Sequence, residues 1–297
     1  MQNKARKLVW VTALFFFFLV TFAPRAAAQK SAGLLWQELK SEHFMIYFAS
    51  NEKFAKEILN KAEAYYRRIA SDLGYPRYSD FWTWDKRVKI YIYPGQNSFL
   101  KATGQPNWSQ GMADYTNKKI ISYEFSRDFM DGLLPHELAH LIFRDFVGFK
   151  GEVPLWLDEG VAQWEELLKR QGIKEMAWQL YKRGALIPLA DMMKLDIRRM
   201  KADEEITIRQ TSEDDKQGKA LVLSGGDLVG TYYIQAVTLV GFLIETYGSL
   251  SFAGFCRELR DGKALEEALK MAYGVRVQNL DELQANWKKY LRSLYRQ

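Results

Sequence analysis

His136-Glu137-Leu138-Ala139-His140 is the stretch on which the reading of this chain turns. Four residues make about one helical turn, so in a helix both imidazoles leave from one face and can share a tetrahedral metal ion. The glutamate beside them stands within reach of a water on that ion. With three histidines and 20 glutamates among 297 residues, random order supplies roughly 0.002 such windows per chain. Two exposed histidines on an amphipathic helix are the plain alternative. The flanks favour a buried helix instead: Leu133, Leu134, Leu141, Ile142, Phe143 and Phe146 supply an apolar face. Pro135 is tolerable only in a first turn, which sets the helix start just ahead of His136. Gly148 and Gly151 can close its far end.

A zinc site that does chemistry takes three protein ligands and leaves one position open. No histidine follows His140, so the third ligand must be a carboxylate. With eighteen residues intervening, Glu159 sits in Pro154-Leu155-Trp156-Leu157-Asp158-Glu159-Gly160-Val161-Ala162. Gly160 and Ala162 are expected to keep bulk away where this second helix presses on the first. Asp158 competes for the role, because helical neighbours lie about 100° apart and only one of the pair faces the metal. An exposed acid at a helix N-terminus is the bland account of either residue.

Here the chain resembles the gluzincins, metallopeptidases with His-Glu-x-x-His and a glutamate ligand in a W-L-x-E-G-x-A segment. Among them it looks like the bacterial "peptidase MA-like" group, over about residues 36–295. The strand around Val88 to Tyr93, Gly111-Met112-Ala113, Tyr232-Tyr233-Ile234-Gln235-Ala236, Ala268-Leu269 with Tyr273-Gly274, and Trp287 fall in family order. The resemblance implies one Zn2+ per chain on His136, His140 and Glu159, with Glu137 as general base in peptide hydrolysis. It also implies an oxyanion donor from the C-terminal half, Tyr233 first and Tyr232 second; packing in a core helix is their ordinary role. Aminopeptidases of this clan carry Glu-Asn after Gly-x-Met, whereas this chain reads Gly111-Met112-Ala113-Asp114-Tyr115. That departure points away from strict aminopeptidase activity. The segment Gly111 to Tyr115 is expected to be an edge strand to which a peptide can add.

Around this centre the pattern reads as α+β: a zincin-like half with a small sheet and the motif helix, then a mostly helical C-terminal half. Strands are expected at 42–48, 88–93, 111–115 and 119–123, with a helix over 54–73. Further helices are expected at about 129–147, 154–170, 174–184, 228–247, 251–260, 263–273 and 278–295. Residues 195–227, rich in charge, read as a loop or flap. The expected division is a signal peptide over 1–28, a sheet and zinc-helix subdomain over 29–170, and a helical subdomain over 171–297 that closes the cleft.

Lys4, Arg6 and Lys7 precede an apolar run over 8–23, and Ala26-Ala27-Ala28 offers a cleavage site. The expected protein is exported, to the periplasm or cell envelope if bacterial, with an uncleaved anchor as the alternative; only the anchor would make a membrane its partner. A second apolar run over 228–244 carries Tyr232, Tyr233 and Gln235 and reads as a buried core helix. The net charge of +6 includes four bases and no acid in residues 1–28, leaving +2 for the rest. That balance argues against a nucleic-acid partner, and the expected partner is a peptide or protein substrate. The single cysteine, Cys256, excludes a disulfide scaffold and reads as a core residue. His43 reads as a solvated strand residue, and Arg198, Arg199 and Lys201 as a solvated face. A non-catalytic zincin-fold envelope protein with a binding or assembly role is the rival from another class.

Overall fold

Alternating apolar residues build the sheet. Phe44, Ile46 and Phe48 on β2 (Phe44–Phe48) and Val88, Ile90 and Ile92 on β3 (Val88–Tyr93) are all buried. Each such side chain, taken from water, contributes about 1.5–3 kcal/mol. In the computed structural model, which describes residues 34–75, 82–149 and 153–294 apart from 202, 213 and 214, five strands form one sheet. Its order is β1 (Gln37–Lys40), β2, β3, β5 (Lys119–Tyr123), β4 (Gly111–Asp114). The inner three strands run parallel, and β1 and β4 lie antiparallel at the two edges. The expected strand pair at 111–115 and 119–123 is thus present, with β4 at an edge.

Helix α1 (Glu52–Asp72) is capped by Asn51 and buries Phe54, Ile58, Ala62 and Ile69, packing on β2 and on the motif helix. After α2 (Gln96–Thr103) and the strand pair, a π-helical turn over Phe129–Leu133 leads into α3 (Leu134–Val147). Pro135 lies in its first turn, and Gly148, at φ +74°, closes it in the left-handed conformation that a Cβ would strain. Helices α4 (Leu155–Trp164), α5 (Leu167–Lys182), α6 (Leu189–Met192), α7 (Gly225–Tyr247), α8 (Ser249–Arg260), α9 (Leu265–Tyr273) and α10 (Leu280–Ser293) complete the helical half. The fold is α+β: a small N-terminal sheet with the motif helix, then mostly helices. Residues Ser31–Gln297 form one compact unit.

Helix α7 is long and apolar enough to cross a membrane by length and composition, yet 67% of its apolar window is buried inside the protein. It packs tightly on α4. A Cβ on Gly160 would lie 2.7 Å from the carbonyl oxygen of Ala236, and one on Gly241 would meet the Trp164 ring at 2.2 Å. Gly160 therefore makes room for α7, and not for the motif helix as expected. Cys256 is buried, as its apolar surroundings require.

Three further expectations need correction. Residues 195–227 are not a charged loop: Glu205–Ser212 (β6) and Asp215–Ser224 (β7) form an antiparallel hairpin, with Ile206 opposite Leu223 and Ile208 opposite Leu221. Charged residues on both sides of this short apolar stretch, Glu205 and Arg209 on one strand and Asp215, Lys216 and Lys219 on the other, hid the alternation. The single helix expected over 154–170 breaks between Trp164 and Leu167. His43 is buried rather than solvated: its Nδ1 lies 2.8 Å from Glu63 and its ring stacks on Tyr66. That partner comes from α1, twenty residues away, beyond what local spacing can show. Arg198 and Lys201 are exposed, in keeping with a solvated face. The segment 1–28, read as a signal peptide, lies outside the described residues.

Candidate metal centre

Helical spacing sets His136 and His140 side by side on α3, both buried, with their Nε2 atoms 3.3 Å apart. Zinc–nitrogen bonds of about 2.0–2.1 Å in a tetrahedron require about this separation between ligand nitrogens. Two protons do not fit between those atoms, so at least one of the two nitrogens turns a lone pair into the gap. Glu159 on α4 brings Oε1 to 4.0 Å from His140 Nε2. One ligand atom from each of His136, His140 and Glu159 falls within a set whose members lie within 4.8 Å of one another. These three residues could hold a metal ion.

The far nitrogen of each ring is also held. His140 Nδ1 lies 2.9 Å from Asp158 Oδ1, and His136 Nδ1 lies 2.9 Å from Glu166 Oε1. Each contact favours the tautomer with hydrogen on Nδ1 and leaves Nε2 as the donor atom to a metal. Asp158 and Glu159 thus address opposite nitrogens of the same imidazole, which separates the two acids that competed as ligand. Arg144, one turn beyond His140, donates to the other Asp158 oxygen, and Lys169 donates to the other Glu166 oxygen. Tyr115, just past β4, donates from its phenol to Glu137 Oε2 at 2.8 Å.

The four carboxylates Glu137, Asp158, Glu159 and Glu166 against Arg144 and Lys169 leave a formal −2 when the imidazoles are neutral. Burial alone would lower His136, but the hydrogen bond and charge of Glu166 outweigh it and hold it at about 9. Burial likewise opposes protonation of His140, and Asp158 raises it nonetheless. Burial would push Asp158 up; His140 and then Arg144 bring it down to about 2. Burial raises Glu159 against the pull of both imidazoles. A pocket that draws protons onto its imidazoles is one whose field also favours a divalent cation.

The break between α4 and α5 lies beside the same site. Glu165 and Glu166 occupy it, both buried. Glu166 turns to His136, while Glu165 turns to Arg68 of α1 at 3.2 Å and to Arg170 at 3.6 Å. Burial, opposed by Arg68, raises the Glu165 carboxyl to about 7. At the break the carbonyl oxygens of Trp164 and Glu165 accept from the Arg170 and Arg68 guanidinium groups.

Tyr232 and Tyr233 lie on α7. Burial and then the charge of Glu159 raise both phenols above their ordinary range, so both sit in the electrostatic reach of that ligand candidate. Tyr232 is almost fully buried. Sequence reasoning missed Tyr115, Arg144 and Glu166. Arg144 had a signal, since 136, 140 and 144 share one helical face. Tyr115 was placed in the strand but given no role, and Glu166 lay inside an expected helix with no sign of a break. No protein-family model and no curated protein matches this chain.

Proposed function

We propose that this chain is a zinc-dependent peptidase that hydrolyses peptide bonds, with one Zn2+ on His136, His140 and Glu159. The observation that carries the reading is the convergence of these three side chains beside Glu137, with each imidazole backed by its own carboxylate. A zinc ion in such a setting lowers the pKa of water and polarises a carbonyl. Glu137 then acts as general base and passes the proton to the leaving amine. Asp158 and Glu166 keep the two imidazoles in the right tautomer and orientation. Tyr233, with Tyr232 as second candidate, donates a hydrogen bond to the developing oxyanion. The open side of β4 offers backbone groups to an extended peptide.

The gluzincin resemblance and the export signal read in residues 1–28 extend the proposal to an exported enzyme, of the periplasm or cell envelope if the protein is bacterial. Zinc content together with a peptide-library digest tests it. The expected result is about one zinc per chain and cleavage that Glu137→Gln abolishes. Stoichiometric zinc with no cleavage across the library would turn the reading to the non-catalytic envelope protein.

A further inference from the structure

The base at this site is itself held. Among the described residues, the hydrogen bond made to the Glu137 carboxylate comes from Tyr115, at 2.8 Å to Oε2. A glutamate carboxylate otherwise turns about a broad terminal torsion, so a donor on one oxygen fixes where the other points. Tyr115 is well placed to be rigid. Its ring stands edge-on to His140 with centroids 5.5 Å apart, and the Arg144 guanidinium lies over its face at 4.9 Å. Arg144 in turn holds Asp158, and Asp158 holds His140. The contacts Glu137, Tyr115, Arg144, Asp158, His140 therefore form a ring that starts and ends on α3. Burial, and then the charge of Glu137, raise the phenol well above its ordinary range, so Tyr115 stays a donor.

We propose that Tyr115 is a positioning residue for Glu137, fixing one carboxylate oxygen from the end of the edge strand so that the other faces the reacting water. The inference rests on the peptidase reading. It also links two parts of the site: Tyr115 directly follows β4, so a peptide pairing with that strand meets the element that sets the base.

The test is Tyr115→Phe in the zinc-loaded protein, alone and combined with Glu137→Gln. Phenylalanine keeps the ring against His140 and removes only the donor. The expected result is a kcat lower by about tenfold, part of the 10²–10⁴ that a placed general base supplies. KM should stay within about twofold and zinc at one per chain. In the Glu137→Gln background the same change should have no further effect on residual rate. An unchanged kcat, an effect on KM alone, or a full additional loss in the Gln background would overturn the role. Thermal unfolding of the four proteins gives a second cycle that needs no turnover. Non-additive shifts in midpoint are expected, and additive shifts with an active wild type overturn the Tyr115 role alone. A wild type that binds zinc and cleaves nothing overturns the peptidase reading, and this role with it.

Discussion

Two buried histidines, His43 ahead of β2 and His140 on α3, each take a carboxylate oxygen at Nδ1, Glu63 at 2.8 Å and Asp158 at 2.9 Å. Both carboxylates are held low against burial, Glu63 by His43 and Ser41 and Asp158 by His140 and Arg144, each at about 2. The rings part company at the other face. His43 lies flat on Tyr66, with centroids 3.9 Å apart, and its Nε2 is 3.9 Å from the largely exposed Glu42. His140 turns Nε2 toward His136 Nε2 and Glu159. An imidazole backed by a carboxylate is thus a way to hold a ring in a protein interior. It becomes a candidate metal ligand only where further donors converge on its second nitrogen.

The sharpest test of that contrast is metal content. His136→Ala, His140→Ala and Glu159→Ala are each expected to lose stoichiometric zinc, while His43→Ala keeps about one ion per chain. His43→Ala should instead cost stability, about 1–3 kcal/mol, because half-buried Glu63 loses the imidazole from one oxygen and keeps the backbone N–H of residue 43 on the other. Full zinc retained by either motif-histidine variant, or zinc lost from His43→Ala, would break the distinction.

Next in size is chemistry without metal loss. Glu137→Gln should keep zinc and fold and lower peptidase kcat by at least ~10²-fold, since an amide cannot take the proton. Equal rates in the variant and the wild type would mean that another protein did the cleaving.

The outer carboxylates should matter less than the candidate ligands. Asp158→Asn and Glu166→Gln are expected to weaken zinc affinity by about 10–100-fold while still binding one ion at saturation. Titration against a competing chelator reads this. Loss of the ion from Asp158→Asn with retention in Glu159→Ala would exchange the roles assigned to the two neighbours.

The smallest effects concern pH. Glu63 titrates near 2 in the folded chain, below its ordinary 4.5, so its stabilising contribution is complete above about 4.5 and lost as pH falls toward 2. Glu165 behaves oppositely: raised to about 7, its contribution is complete below about 4.5 and lost as pH rises through 7. Glu63→Gln should therefore flatten the acid limb of the unfolding profile. Glu165→Gln should gain on wild type as pH rises from 4.5 to 8, with urea midpoints as the measure. A parallel loss on both sides of neutrality in either variant would count against these environments.

The motif helix, the strand at Val88–Tyr93 and the edge pair at β4 and β5 were legible because period and punctuation are local: four residues per turn, alternation, a proline at the start and a glycine at the end. The hairpin at 205–224 was not, because its apolar pairs are few and charged residues crowd both of their flanks. The break at Glu165 and Glu166 was illegible for a different reason. Nothing in the local sequence opposes a helix there, and the two residues at the break turn to partners far away in the chain, Glu165 to Arg68 of α1 and Glu166 to His136 of α3.

By itself the sequence determined the candidate ligand set: two histidines one turn apart and an acid in a second helix follow from spacing and composition. Only the tertiary structure decided which neighbour of the Asp158-Glu159 pair faces the imidazole pair, because that depends on how α4 is rotated. The rotation is set by Gly160 lying against Ala236 of α7, seventy-six residues later. The same holds for Tyr115 at Glu137, for Glu166 at His136 and for Glu63 at His43. Each is a buried polar atom satisfied by a partner far away in the chain, and such partners are chosen by packing, which no local pattern records.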